Sequence, residues 1–149
     1  MSSEPGAAGS PGPDTAATRG RVGRRSLMVW QVLSALSLLA MGGIHLYLVF
    51  NGTGGVLGRL FVLNAAGGLV LAIAMIVLRR RLLLVASVLS LLFLGGTLLA
   101  LVLALTVGLF GIRSSMTYQL VPTTLVVESI GTIVLVVTIA LAFRMRHTA

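Results

Sequence analysis

The sequence predicts an all-α fold, a four-helix transmembrane bundle with both termini cytoplasmic and a disordered N-terminal tail. Three observations predict it. Of 149 residues, 57% are hydrophobic and only 9% are charged, against about 25% charged in a soluble domain. The mean hydropathy is +1.08. The apolar residues fall into four long runs separated by short polar turns. A surface this poor in charge has lipid as its solvent, and an unpaired backbone group cannot face lipid. Helices satisfy that rule locally. Barrel strands would need alternating polarity over about 10 residues, which the runs lack.

Residues 1–25 come first. They are rich in Gly, Pro, Ala and Ser, with Pro5, Pro11 and Pro13 and no hydrophobic period. Such a segment buries too little apolar surface to offset its chain entropy, so it reads as a disordered basic tail. It ends in a collar of Arg19, Arg21, Arg24 and Arg25. The transmembrane domain then occupies 26–146, with helices expected at 27–50, 60–78, 82–110 and 120–143. At about 1.5 Å per residue, the shortest of these runs is about 28 Å long, which suits a hydrocarbon core about 30 Å thick. The third would reach about 43 Å, so it must tilt, project from the bilayer or stop before residue 110.

The connectors are a glycine-rich turn from Asn51 to Arg59, a tight arginine turn at 79–81, and a longer loop from Gly111 to Gln119. Pro122 falls in the first turn of the fourth helix, where a missing N–H costs little. Nine arginines lie on one side of this layout, counting the collar, the 79–81 turn, Arg144 and Arg146; only Arg59 and Arg113 lie on the other. Such a bias marks the arginine-rich side as cytoplasmic and the protein as a multi-pass cell-membrane protein.

Composition excludes several functions. There is no cysteine, which removes thiolate nucleophiles, disulfides and iron–sulfur ligation. The pI near 11.9 suggests nucleic acid, but the arginines cap apolar runs instead of forming one solvated face, so they read as membrane anchors. The Arg24-Arg25 pair resembles a twin-arginine export signal, but the apolar run behind it is too long for a signal-peptide core. Gly42-Gly43, Gly67-Gly68 and Gly95-Gly96 lie inside apolar runs, not on a nucleotide-binding turn. No cofactor is expected.

Small residues mark where helices can approach. Gly96, Ala100, Ala104 and Gly108 recur every four residues on the third helix. Lipid gives no hydrophobic drive between helices, so such a smooth face is a packing seam. Intramolecular packing is its first reading, and a homo-oligomer seam is the alternative. Ser34, Ser37, Met41 and His45 form one stripe on the first helix, and Thr124, Glu128 and Thr132 one on the fourth. Polar stripes should face the bundle interior.

Chemistry, if any, rests on few residues. Glu128 is the only acid in a spanning run and lies about 12 Å from its outer end. An ionisable group at that depth is read as functional, with a partner to be named. The plainer reading is a hydrogen bond that pins the fourth helix. His45, about 7.5 Å deep, is the candidate partner, able to relay a proton or bind metal; a lone intramembrane His also serves as an interhelical hydrogen bond. Asn64 lies about 6 Å deep near the same leaflet, and Arg59 and Arg113 form an outer rim. Tyr47, Tyr118 and Trp30 fit the aromatic belts. One Met and one His, Met41 and His45, make an incomplete copper site.

The stretch Gly43-Ile44-His45-Leu46-Tyr47-Leu48, followed by Gly58-Arg59-Leu60-Phe61-Val62-Leu63-Asn64, resembles a recurring pattern in small four-helix integral membrane proteins of actinobacteria. The Arg-only, Ala- and Leu-rich composition is similar too, and the layout is loosely similar to the DoxX-like group. The resemblance implies the fold and the membrane, and it singles out His45, Asn64 and Glu128; it implies no reaction. The expected function is therefore a small non-enzymatic accessory or interaction component, with the lipid bilayer, a second copy or another membrane protein as partner. The alternative is a proton-linked carrier or small channel using Glu128 and His45. An enzyme would show several convergent polar groups.

Overall fold

A computed structural model describes residues 13–79, 81–108, 113–117 and 120–147. Four helices account for nearly all of them: α1 (Pro13–Phe50), α2 (Gly55–Val77), α3 (Arg81–Thr106) and α4 (Val121–His147). Each contains a segment long and apolar enough to cross a membrane: Gly23–Phe50, Gly55–Val77, Arg81–Thr106 and Val121–Arg146. The molecule is a small multi-pass bundle of the expected class.

The boundaries differ from expectation in instructive places. α1 begins at Pro13, so the part of the expected disordered tail from 13 to 25 is helical. Proline is preorganised for a first helical position, and the alanines that follow are strong helix formers. Residues 1–12 of that tail lie outside the described residues. α2 starts at Gly55, five residues early. Once the chain has turned, Val56 and Leu57 have no reason to stay out of the apolar helix. α3 stops at Thr106, which resolves the excess length of the third run. Gly108, with φ +86°, donates to Leu103 O at 2.8 Å, and Ser114 N–H reaches back to Ala104 O at 3.0 Å. The left-handed glycine satisfies a terminal carbonyl and ends the helix. Phe110 and its neighbours at 109–112 are outside the described residues.

At the top of α1, Asn51 and Thr53 N–H groups donate to Tyr47 O and Leu48 O, both at 3.0 Å, while Gly52 takes φ +100°. At the other end Leu78 N–H bonds to Ala74 O at 2.9 Å, and Leu78 then leaves the helix in an extended conformation. Its side chain packs against the core. The two flanking helices are thus joined by a turn of minimal length.

α1 lies between α2 and α4, and α3 leans on α4 and only lightly on α2. The core runs through Ala35, Leu38, Met41, Ala72, Met75, Leu83, Ala86, Leu94 and Leu135. The tightest seam is α1 with α2. A Cβ on Gly68 would stand 2.9 Å from Leu38 O, and one on Gly42 would stand 3.3 Å from Ala65 O. Glycine at both positions lets the two backbones approach, which is how helices gain dispersion contact in lipid. On α4, Gly131 instead makes room for side chains, with the space beside it filled by Leu94 Cδ2 and Ser37 Cβ.

α3 packs unevenly. Its buried residues, Leu83, Ala86, Ser87, Ser90 and Leu94, all lie in its first fourteen positions. Beyond Leu94 no described residue of α3 is fully buried. α3 is therefore packed along its first half, towards the arginine turn, and more loosely along its second.

Candidate functional site

Glu128 lies in the first third of α4, in the half of the bundle away from the arginine-rich end. It is 1% exposed, and its Oε2 has no hydrogen-bond partner among the described residues. Thr97 on α3 is a neighbour of the carboxyl, and its Oγ1 donates to Leu94 O at 2.8 Å. One helical turn further along α4, Thr132 Oγ1 donates to the Glu128 carbonyl at 2.7 Å. The acid is therefore held between α3 and α4, with one carboxyl oxygen left over. Leaving a buried polar atom without a partner costs free energy.

His45 is also buried, but its contacts run the other way. Nδ1 lies 2.9 Å from Met41 O. A carbonyl can only accept, so Nδ1 carries the hydrogen and Nε2 is the acceptor. The ring meets Phe61 of α2 edge-on, with centroids 4.7 Å apart and planes at 77°. That arrangement suits the ring quadrupoles. His45 thus fastens α1 to α2, while Glu128 is buried beside Thr97 of α3. Asn64, one turn beyond Phe61, is half-buried. Arg59 is exposed near the start of α2, on the rim of an open groove of about 660 Å³ that is also lined by Val49, Thr53, Gly58 and Val62. Arg113 is exposed on the loop before α4.

Of the expected small-residue seam, Gly96 is exposed with nothing near its Cβ position. Ala100 and Ala104 are half-buried, and Gly108 lies past the end of α3. The close backbone approaches within one chain are made at Gly42 and Gly68 instead.

A second polar group lies at the arginine-rich end. Ser34 Oγ and Thr138 Oγ1 are 2.9 Å apart, joining α1 to α4. Thr138 Oγ1 also lies 3.2 Å from Trp30 O, which accepts from Ser34 Oγ at 2.8 Å. Gln31 Nε2 donates to Met75 O at 3.1 Å, joining α1 to α2, and Ser87 Oγ approaches Met75 Sδ at 3.6 Å, joining α3 to α2. Ser90 Oγ is buried without a partner among the described residues. Leu94, fully buried against Gly131, stands between this group and Glu128 along α3.

No family model matches the chain, and neither does any curated protein or solved structure.

The sequence reading missed Thr97 and Gln31. Thr97 had a usable signal, because 83, 86, 87, 90, 94 and 97 continue one helical face at spacings of three and four. Gln31 had none, since its acceptor is the backbone of a residue 44 positions away. Among the described residues, no three His, Cys, Asp or Glu side chains converge. The chemistry available is that of one carboxyl, one hydroxyl and one separately held imidazole.

Proposed function

We propose that this small multi-pass membrane protein is a non-enzymatic accessory or interaction component of the cell membrane, with both termini cytoplasmic. It works through its helix faces. The observation that carries this reading is how the buried hydroxyls are used. Buried Ser87 and Thr124 and half-buried Thr132 each donate to a carbonyl four residues back on their own helix, Ser34 and Thr138 share their hydrogens between such carbonyls and each other, and Ser90 Oγ is the one buried hydroxyl without a partner among the described residues. Hydroxyls satisfied in this way stabilise packing and leave few donors to line a path for a solute. The bundle centre between Glu128 and the second polar group is filled by Leu94 and Ser37 against Gly131. In this reading the lipid-facing side of α3, with Leu92, Gly96 and Leu99 exposed, is a surface for a second copy or another membrane protein. The test is affinity purification in native-like lipid. A defined complex should form with the parent chain and be lost in Gly96→Leu with Ala100→Leu. A chain that runs alone, and whose variants behave identically, would sink the proposal.

One observation favours a second reading, a proton-linked carrier: Oε2 of Glu128 is buried without a partner. Proteoliposomes carrying a pH-sensitive dye separate the two. A carrier takes up protons under a gradient and loses the activity in Glu128→Gln. An accessory component leaves the vesicles equally tight with either chain.

A further inference from the structure

At the end away from the arginine turn, the chain between α1 and α2 folds back on itself. Gly52 takes φ +100° and Gly55 φ +65°, and a Cβ on Gly58 would collide with the Thr53 carbonyl. The turn therefore packs directly onto the start of α2, and Gly54 and Gly55 add no side chains around it. What remains is the open groove of about 660 Å³ between Val49 of α1 and the first turns of α2. Its α2 wall, Gly55, Gly58, Arg59, Val62 and Leu63, follows the spacing of one helix face.

The groove changes character with depth. Arg59 stands at its mouth and is exposed. Val62 and Leu63 lie about 5 Å deeper along α2, with Val49 on the α1 side. Val56 and Leu63 are each 66% exposed, so this flank belongs in hydrocarbon, and whatever covers the floor must be apolar.

The cation at the mouth lies far from the carboxylates of the chain. The segments 51–54 and 107–120 at this end contain no Asp or Glu. Asp14 is in the first turn of α1, about 54 Å along that helix from Phe50. Glu4, even fully extended from Asp14, reaches about 36 Å. Glu128 is buried inside the bundle. A guanidinium presents paired donors that match a phosphate.

We propose that the groove is a phospholipid site, in which Arg59 takes the headgroup phosphate and an acyl chain lies along Val49, Val62 and Leu63. A water-soluble phosphate would fill only the mouth and leave the floor bare.

The full chain in phospholipid-free detergent would be titrated with dioleoyl phosphatidylglycerol and with dioleoylglycerol, which has the same chains and no phosphate. Native mass spectrometry counts the bound lipid. The phospholipid should bind saturably and about tenfold more tightly, the worth of a charge-assisted hydrogen bond. Arg59→Gln should remove that advantage. Arg113→Gln deletes the same charge at the same end, on the loop before α4, and should leave it intact. Gly54→Leu, placed where a Cβ meets nothing within 4 Å, should block the mouth and weaken phospholipid binding with every charge retained; it also decides the matter if Arg59→Gln fails to fold. Equal affinity for the two lipids would overturn the proposal, as would equal losses in Arg59→Gln and Arg113→Gln. Loss of the phospholipid's advantage to an equal concentration of inorganic phosphate would reduce the groove to an anion site and overturn it too.

Discussion

Gly68 and Gly96 are the same residue type in similar apolar sequence, and the structure gives them opposite sensitivities. A Cβ at Gly68 would meet Leu38 O at 2.9 Å, with Met41 Cε at 3.5 Å, whereas one at Gly96 would meet nothing within 4 Å. The close contact at Gly68 is with backbone, which cannot swing aside. Gly68→Ala is expected to cost about 1–3 kcal/mol through overpacking, and Gly96→Ala to stay within about 0.5 kcal/mol. Reversible unfolding in mixed micelles measures both; equal losses would contradict the assigned seam. The Ser34–Thr138 pair makes a second residue-scale prediction. A double-mutant cycle with Ser34→Ala and Thr138→Val should give a coupling near 0.6 kcal/mol, roughly the mean for interhelical hydrogen bonds in a membrane protein. Each hydroxyl also bonds its own helix, which limits what the pair adds. Stripes of hydroxyls were legible as inward-facing from spacing alone. Their partners were not, because Ser34 and Thr138 are separated by 104 positions and helical period says nothing about rotation between helices. The same gap explains His45, Asn64 and Glu128. Depth followed from counting residues, but His45 is fastened to Phe61 and Glu128 is buried beside Thr97, and no single-sequence pattern encodes that choice.

At the scale of the element, α3 is the informative helix. All its fully buried residues precede position 95, so its two halves should differ in stability even though their composition is alike. Amide hydrogen exchange in bilayer mimetics should show faster exchange from Thr97 to Thr106 than from Leu83 to Leu94, as expected where packing is sparse. Uniform protection along α3 would contradict the uneven packing. Leu94→Ala removes a fully buried side chain at the junction with α4, and a loss of about 2–5 kcal/mol is expected. Helix existence was legible because each apolar run is about as long as a bilayer's hydrocarbon core is thick, or longer. Helix ends were less so. The third run looked too long, and its true stop depends on the left-handed conformation at Gly108, one of many glycines in the chain. The start of α1 at Pro13 was hidden by a composition that reads as disordered. Proline and glycine there suggested a coil, yet the proline sits where a helix accepts it.

On the scale of the whole molecule, charge and packing run along the same axis. Arginines gather at the end where side chains tie α1 to both neighbours, and the opposite half holds the Glu128 carboxyl oxygen that has no partner among the described residues. Fold class followed directly from composition and run length, because lipid leaves the backbone so few options. The same narrow alphabet conceals function: a surface of Leu, Val, Ile and Ala serves lipid, a second copy or a different partner equally well. The interaction reading and the carrier reading both assume that the two ends of the chain and the arginine turn share one side of the membrane. Because the chain has no cysteine, a single introduced cysteine reports its own side. Gly54→Cys and Ser115→Cys should react with a membrane-impermeant maleimide in intact cells. Ser10→Cys, Arg80→Cys and Thr148→Cys should react only after permeabilisation. Labelling of Ser10→Cys and Thr148→Cys from opposite sides would contradict the four-span bundle and every functional reading built on it.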